Sequence, residues 1–381
     1  MLTPLDETLM HQVALPFGDA HTSDHRFFDR MVIGTHAPDG TKMVMGLAVY
    51  KNMNVFEAFA CIQRGERQHN LRRSRALRAK FPAELHLPPV RVEVVEPLRA
   101  LHLSLEPGED RGTSFELDWV GNYPVHLEKP HFARANGRIF QDYLRFDQLG
   151  VVNGWLRAGG ERIPVKDWFG WRDHSWGVRP GVGNYEPETG AGNVGALSVP
   201  GADGSLLVML WFWADGIAGN FHVVEDGHGN QYGLDGDIKF PMETGRPPVN
   251  VTRIEHDIHF IPGTRVYDRA DLRVTTEDGQ TFDIRAQAAG RAWVYKGTGY
   301  SEGYDDEKGL GVYRGEDLTE VDVYDISDPG TVTLPDGRRL APVHREQPVN
   351  LTVDGRPGFG HMPLINWGRI RRYGLGEGQQ R

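Results

Sequence analysis

Apolar and polar residues alternate along most of the chain in short runs, parted by turns rich in Gly, Pro, Asp and Asn. Val90, Val92 and Val94 are offset from Arg91 and Glu93, and Ile254, His256, Ile258 and Phe260 from Glu255, Asp257 and His259. A two-residue period puts alternate side chains on opposite faces and predicts half-buried β-strands. Such strands are expected at 31–34, 42–50, 55–64, 68–78, 90–98, 100–105, 114–120 and 138–149, with a hairpin over 154–162. Pro38-Asp39-Gly40 and Gly65-Glu66 carry hairpin-turn chemistry. After Pro180 the pattern resumes at 206–213, 220–225, 237–240, 251–260, 265–275 and 281–286. The segment 317–326 fits either a strand or a helical turn. Residues 1–30 read as an irregular arm, and 358–376, aromatic and basic, as a tail docked on the body. Short strands at regular spacing predict an all-β protein of sandwich or barrel type, in two β-rich halves joined near 165–185. There are no heptads and no phosphate-binding loop, and Gly181-Val182-Gly183 opens no helix, so a dinucleotide fingerprint is set aside.

Charge and cysteine content narrow the classes. With 42 Lys+Arg against 52 Asp+Glu the net charge is -10, which argues against nucleic acid or an anionic membrane as partner. The run Arg72, Arg73, Arg75, Arg78 lacks interleaved aromatics and reads as a solvated strand face. Cys61 is the only cysteine, in an apolar run, so it reads as core, and an intrachain disulfide is excluded. Residues 1–24 hold no basic stretch followed by an apolar one, and the most apolar run, 205–214, is too short to span a bilayer. The expectation is a soluble, cytoplasmic protein, with room for a strand-edge homodimer.

The densest chemistry lies in Gly170-Trp171-Arg172-Asp173-His174-Ser175-Trp176-Gly177-Val178-Arg179-Pro180. Two readings fit this mixture: the wall of a pocket for an apolar ligand, or a domain junction stapled by tryptophan packing and an Arg–Asp pair. If the segment is a regular strand, Arg172, His174 and Trp176 share one face and line the pocket. Asp173 then lies on the other face, paired with Arg179 at the junction. A turn at Gly170 or Gly177 would instead return Asp173 to the site as the acid. On the pocket face Arg172 is suited to an anionic oxygen, His174 to proton transfer and Trp176 to stacking on a ring. Trp211, Trp213, His222, Tyr295 and Tyr300 are further wall candidates. Barrel core or inter-barrel packing is the competing reading for both tryptophans, and a hydrogen-bonded core position for His222. His256 and His259 fall on opposite faces of a strand, so no metal site is nominated.

Asp173-His174-Ser175-Trp176-Gly177, approached through Gly170-Trp171-Arg172, resembles the Asp-His-x-Trp signature of the AttH-like and hydroxyneurosporene synthase (carotenoid hydratase) superfamily. It is also similar to the Arg-Asp-x-Ser-Trp-Gly-x-Arg motif of related bacterial proteins, the only members that Arg172 and Arg179 match. More loosely, Gln68-His69, the 143–150 stretch and Trp367-Gly368-Arg369 look familiar. The resemblance implies two lipocalin-like antiparallel barrels in tandem, 1–168 and 169–381, the second beginning at the motif. It also implies chemistry without a cofactor, as in hydratases of polyenes or prenyl groups and in cyclases.

Together these readings predict a cofactor-independent lyase or hydratase on a hydrophobic, aromatic or polycyclic small molecule. His174, Arg172 and Asp173 are the catalytic candidates. Trp176, Trp171, Arg179, Trp211, Trp213, Tyr295 and Tyr300 are the binding candidates. A non-catalytic carrier of an apolar metabolite and an isomerase or cyclase are the alternatives. A carbohydrate-active protein would need two carboxylates about 5–10 Å apart, and no such pair stands out.

Overall fold

A computed structural model describes residues 2–77, 85–108, 112–135, 138–183, 203–341 and 344–376. Among them there is no α-helix, and no helix is long and apolar enough to cross a membrane. The chain first lays down β1 (Phe27–His36), β2 (Lys42–Tyr50), β3 (Val55–Arg64), β4 (Arg67–Ala76), β5 (Leu85–Leu87), β6 (Val90–Glu96), β7 (Ala100–Leu105), β8 (Ser114–Gly121), β9 (His126–Leu127), β10 (His131–Ala135), β11 (Arg138–Ala158) and β12 (Glu161–Val178). Then follow β13 (Gly204–Ala214), β14 (Ile217–Asp226), β15 (Gln231–Lys239), β16 (Val249–Phe260), β17 (Tyr267–Thr276), β18 (Thr281–Ala288), β19 (Trp293–Val294), β20 (Asp317–Asp325), β21 (Val332–Thr333), β22 (Arg339–Leu340), β23 (Arg345–Val353) and β24 (Arg356–Gly368).

Two large antiparallel sheets result. The first runs β5-β6-β7-β8-β11-β12-β1-β2-β3-β4-β20-β21-β22, with β9 and β10 also on β11. It curls until β3 approaches β5 and β6 across a core that includes Ile33, Met45, Leu103, Leu117, Trp119 and Val152. The second runs β18-β17-β16-β15-β14-β13-β24-β23 and closes on itself through β18–β23. Val208, Phe212, Phe221, Ile258, Leu272 and Met362 help to fill it. This is the tandem lipocalin-like architecture. Each barrel buries the inward face of its alternating strands, which is why the two-residue period was so legible.

Several expectations change. The boundary between 168 and 169 falls inside β12, which pairs along its length with β1 and β11. The motif therefore belongs to the first sheet, and the second sheet begins at Gly204. Residues 317–325 are a strand, and it pairs with β4 of the first sheet. Arg72 is accordingly no solvated residue: it is 1% exposed, with Nε 3.0 Å from Glu320 and Nη2 2.7 Å from Asp322. Arg73 pairs with Asp317, and Arg78 lies outside the described residues. The expected tail contains β24, a full barrel strand. Cys61 is buried.

Candidate functional site

β12 runs as one strand through the motif, so side-chain parity holds there. Phe169, Trp171, Asp173 and Ser175 face the second barrel. The residues directly opposite them share that face: Leu149, Asp147 and Arg145 on β11, and Gly34, Val32 and Arg30 on β1. At one end of this seam Trp171 stacks on Trp211 at 5.3 Å and on His361 at 4.5 Å. Gly34 makes the seat for the indole, because a Cβ there would collide with it. Trp213 closes the seam against Phe169 and Phe359. Trp171, Trp211 and Trp213 thus lie in the packing between the barrels.

Two residues along, the seam turns polar. Asp173 is 7% exposed and its Oδ1 has no hydrogen-bond partner. Burial pushes its carboxyl above the ordinary range, although Arg30, Arg145 and Arg179 pull the other way. Arg145 is held by Glu128 at 2.6 Å, and His131 Nε2 lies 2.6 Å from the same carboxylate. Burial opposes the Glu128 charge, yet Arg145 and His131 hold it well below its usual pKa. Burial and the Glu128 charge push the carboxyl of neighbouring Asp147 well above its usual pKa. Arg30 and Arg179 flank the Tyr300 ring at 4.4 and 5.3 Å. The Tyr295 ring lies 4.3 Å from Tyr300, and Tyr143 stacks on His131 at 4.4 Å. Ser175 Oγ, Arg30 Nε and Tyr300 OH are buried without partners. Asp173 therefore sits in a cage of three arginines and three tyrosines whose hydrogen-bonding capacity is not used up internally.

The second barrel closes this cage with β14 and β15. Asn220 Nδ2 lies 3.5 Å from Asp147, Lys239 donates to Asn220 and Asp237, and Asp237 lies 2.9 Å from His126. His222, read as a core position, instead faces His131 at 6.2 Å, and burial lowers its pKa to about 4. Arg179 and Tyr300 also line a cavity of about 1070 Å³, together with His25, Arg26, Ile139 and Phe140.

Arg172, His174 and Trp176 share the opposite face of β12, toward the inside of the first barrel. His174 is partly exposed, Nε2 2.8 Å from Asp29, with Trp176 edge-on at 5.6 Å. Arg172 gives Nε and Nη2 to Gln148 Oε1 and lies over Trp119 at 4.8 Å. Burial lowers its pKa to about 10. The structure thus brings Asp173, Arg179, Tyr295 and Tyr300 together and leaves Arg172, His174 and Trp176 apart from them. Sequence reasoning missed Arg30, Tyr143, Arg145, Glu128 and His131. For Tyr143, Arg145 and Asp147 a signal existed: polar residues at period two in a strand that goes on to the buried Leu149.

A family model described as a family of unknown function (DUF8625) matches residues 2–376. The chain belongs to that family. No curated protein matches it. Among solved structures, a Nitrosomonas europaea protein assigned as AttH aligns over 94% of this chain and 98% of its own, at 13% identity and a TM-score of 0.52. This bears out the AttH-like fold that the motif implied. Kievitone hydratase from Nectria haematococca covers 94% of each chain at 8% identity and a TM-score of 0.40. CghA with Sch210972 covers 90% of this chain and 89% of its own at 8% and 0.45. Likenesses at that level carry no argument about chemistry.

Proposed function

We propose that the chain is an acid–base enzyme, a hydratase or related lyase needing no cofactor, that acts on a hydrophobic aromatic small molecule held between the two barrels. The observation that carries this reading is the buried Asp173 carboxyl, with a free Oδ1 inside a cage of arginines and tyrosines beside a cavity. Burial raises the pKa of this carboxyl and so favours its protonated, proton-donating form. Asp173 gives its proton to a conjugated C=C bond, forming a C–H bond, and positive charge develops beside the tyrosine faces. The arginines stabilise the aspartate anion left behind. Water adds to the cation, and its surplus proton returns to Asp173. Run backwards, the same steps expel water. Positioned acid–base groups of this kind contribute roughly 10²–10⁴-fold.

The test is a panel of phenols and enones that carry an alkene, followed by mass spectrometry in D₂O. Asp173→Asn is expected to lower turnover at least about 100-fold with the fold intact. His174→Gln should stay within a few-fold. The reverse pattern would move the acid to the inside of the first barrel. Deuterium gained on carbon without oxygen would make the protein an isomerase. Probes bound tightly and returned unchanged would make it a carrier.

A further inference from the structure

We propose that Arg30 and Arg179 form a subsite for an oxyanion on the ligand, so that the molecule bound beside Asp173 is an aromatic carboxylate or a phenolate. This deepens the reading of the Asp173 cage as a ligand site and rests on it. The other enclosed arginines spend their donors on carboxylates, as Arg72 does on Asp322 and Glu320, Arg145 on Glu128 and Arg314 on Glu57, or on amide and backbone oxygens, as Arg172 does on Gln148, Arg265 on Asn366 and Gly368, and Arg345 on Asp328 and Thr331. Arg30 and Arg179 hold no carboxylate among the described residues. Arg30 is only 5% exposed, and its Nε has no partner. Both guanidinium groups lie against the same two rings, Tyr300 at 4.4 and 5.3 Å and Phe28 at 5.9 and 5.3 Å. Two cations brought together in a low-dielectric setting repel each other, and an anion between them removes that cost.

The surroundings suit such an anion. Ser175 lies directly opposite Arg30 in the β1–β12 register, and its Oγ is a free donor. Tyr300 OH is a second free donor, and the buried Phe28 and Tyr300 rings surround the guanidinium groups with apolar surface. Arg179 and Tyr300 belong to the cavity wall as well, which gives a ligand a way to the subsite. A guanidinium takes a planar carboxylate through two parallel N–H donors, so an aromatic acid matches the charge of the subsite and leaves its ring to the cavity that Ile139 and Phe140 also line.

The probe is benzoate, with benzamide as its uncharged counterpart, titrated into the full chain by calorimetry. Benzoate is expected to saturate and to bind at least tenfold tighter than benzamide. Arg179→Gln and Arg30→Gln should each remove most of that preference, and Arg30→Lys should restore part of it. Arg179 is only half-buried, so its variant keeps the test open if Arg30→Gln fails to fold. Equal affinity for the two probes, or a preference unchanged in Arg179→Gln, overturns the subsite. Asp173→Asn separates this proposal from the acid assignment. If turnover survives that change while benzoate still depends on the arginines, the acid reading falls and the subsite stands. If turnover is lost while benzoate ignores the arginines, only the subsite falls.

Discussion

Asp173 and His174 are neighbours in the chain but look into different spaces, and their protonation should be read out separately. If protonated Asp173 is the acid, turnover falls as pH rises through its carboxyl pKa, which burial places above the ordinary aspartate range. A pH–rate profile checks this, and Asp173→Asn should remove that limb. His222 gives a stability effect of definite sign. It is neutral in the fold down to about pH 4, while the unfolded chain takes up a proton below the ordinary histidine value of 6.5. Its contribution is complete above pH 6.5 and is lost as pH falls toward 4, by roughly 3 kcal/mol at most. Urea midpoints measured across that window should fall in the wild type and fall less in His222→Phe. Parity along 171–177 could be read from the sequence, because a regular strand fixes which side chains share a face. Which face meets the second barrel could not, because that depends on how the curled sheet is covered. Arg30 had no signal at all: a single arginine among apolar strand residues gains its meaning only from Ser175 and Tyr300.

At the level of elements, the strands with clean alternation matched their expected limits closely: β2, β3 and β7 begin and end where the pattern put them. β23 and β24 had no expected strand: Pro348, Pro357, Gly358, Gly360 and Pro363 interrupt the alternation there. In the barrel those residues have uses. The carbonyl of Pro348 accepts from Ala289, and a side chain at Gly360 would strike the Trp211 backbone. β20 was equivocal because its half-buried positions include the acidic Glu320 and Asp322 while Thr319 and Val321 beside them are exposed, and the partner of Asp322 lies 250 residues away in Arg72. Removing one partner of a buried pair typically costs 3–5 kcal/mol. Asp322→Ala should cost roughly 2 kcal/mol, since Glu320 still holds Arg72. Denaturant unfolding measures this, and an unchanged midpoint would mean that the pair does not fasten β20.

For the molecule as a whole, the seam between the barrels is both a staple and a site. Its apolar end, Trp171 on Trp211 and His361, holds the faces together, and its polar end supplies the cage. Trp211→Ala should cost about 3–5 kcal/mol as a buried aromatic truncation. Calorimetry should show a lowered midpoint, and benzoate affinity should fall too, because Trp171, which stacks on Trp211, lies two residues from Asp173 on the same face of β12. The two-barrel fold was legible because every strand repeats the same inward alternation. The site was only half legible because it forms on outward faces, where the pattern says polar without saying enclosed.

The pairing of β20 with β4 also sets an order in time. A chain made from its N-terminus exposes the β4 edge, with Arg72 lacking its carboxylates, until the residues around Asp322 have been made. Open strand edges recruit other strands, so the first sheet is exposed to mispairing during most of synthesis. Shortened forms that stop before residue 317 should therefore aggregate even though they contain the whole motif, and a peptide spanning β20 added in trans is a natural candidate to rescue them.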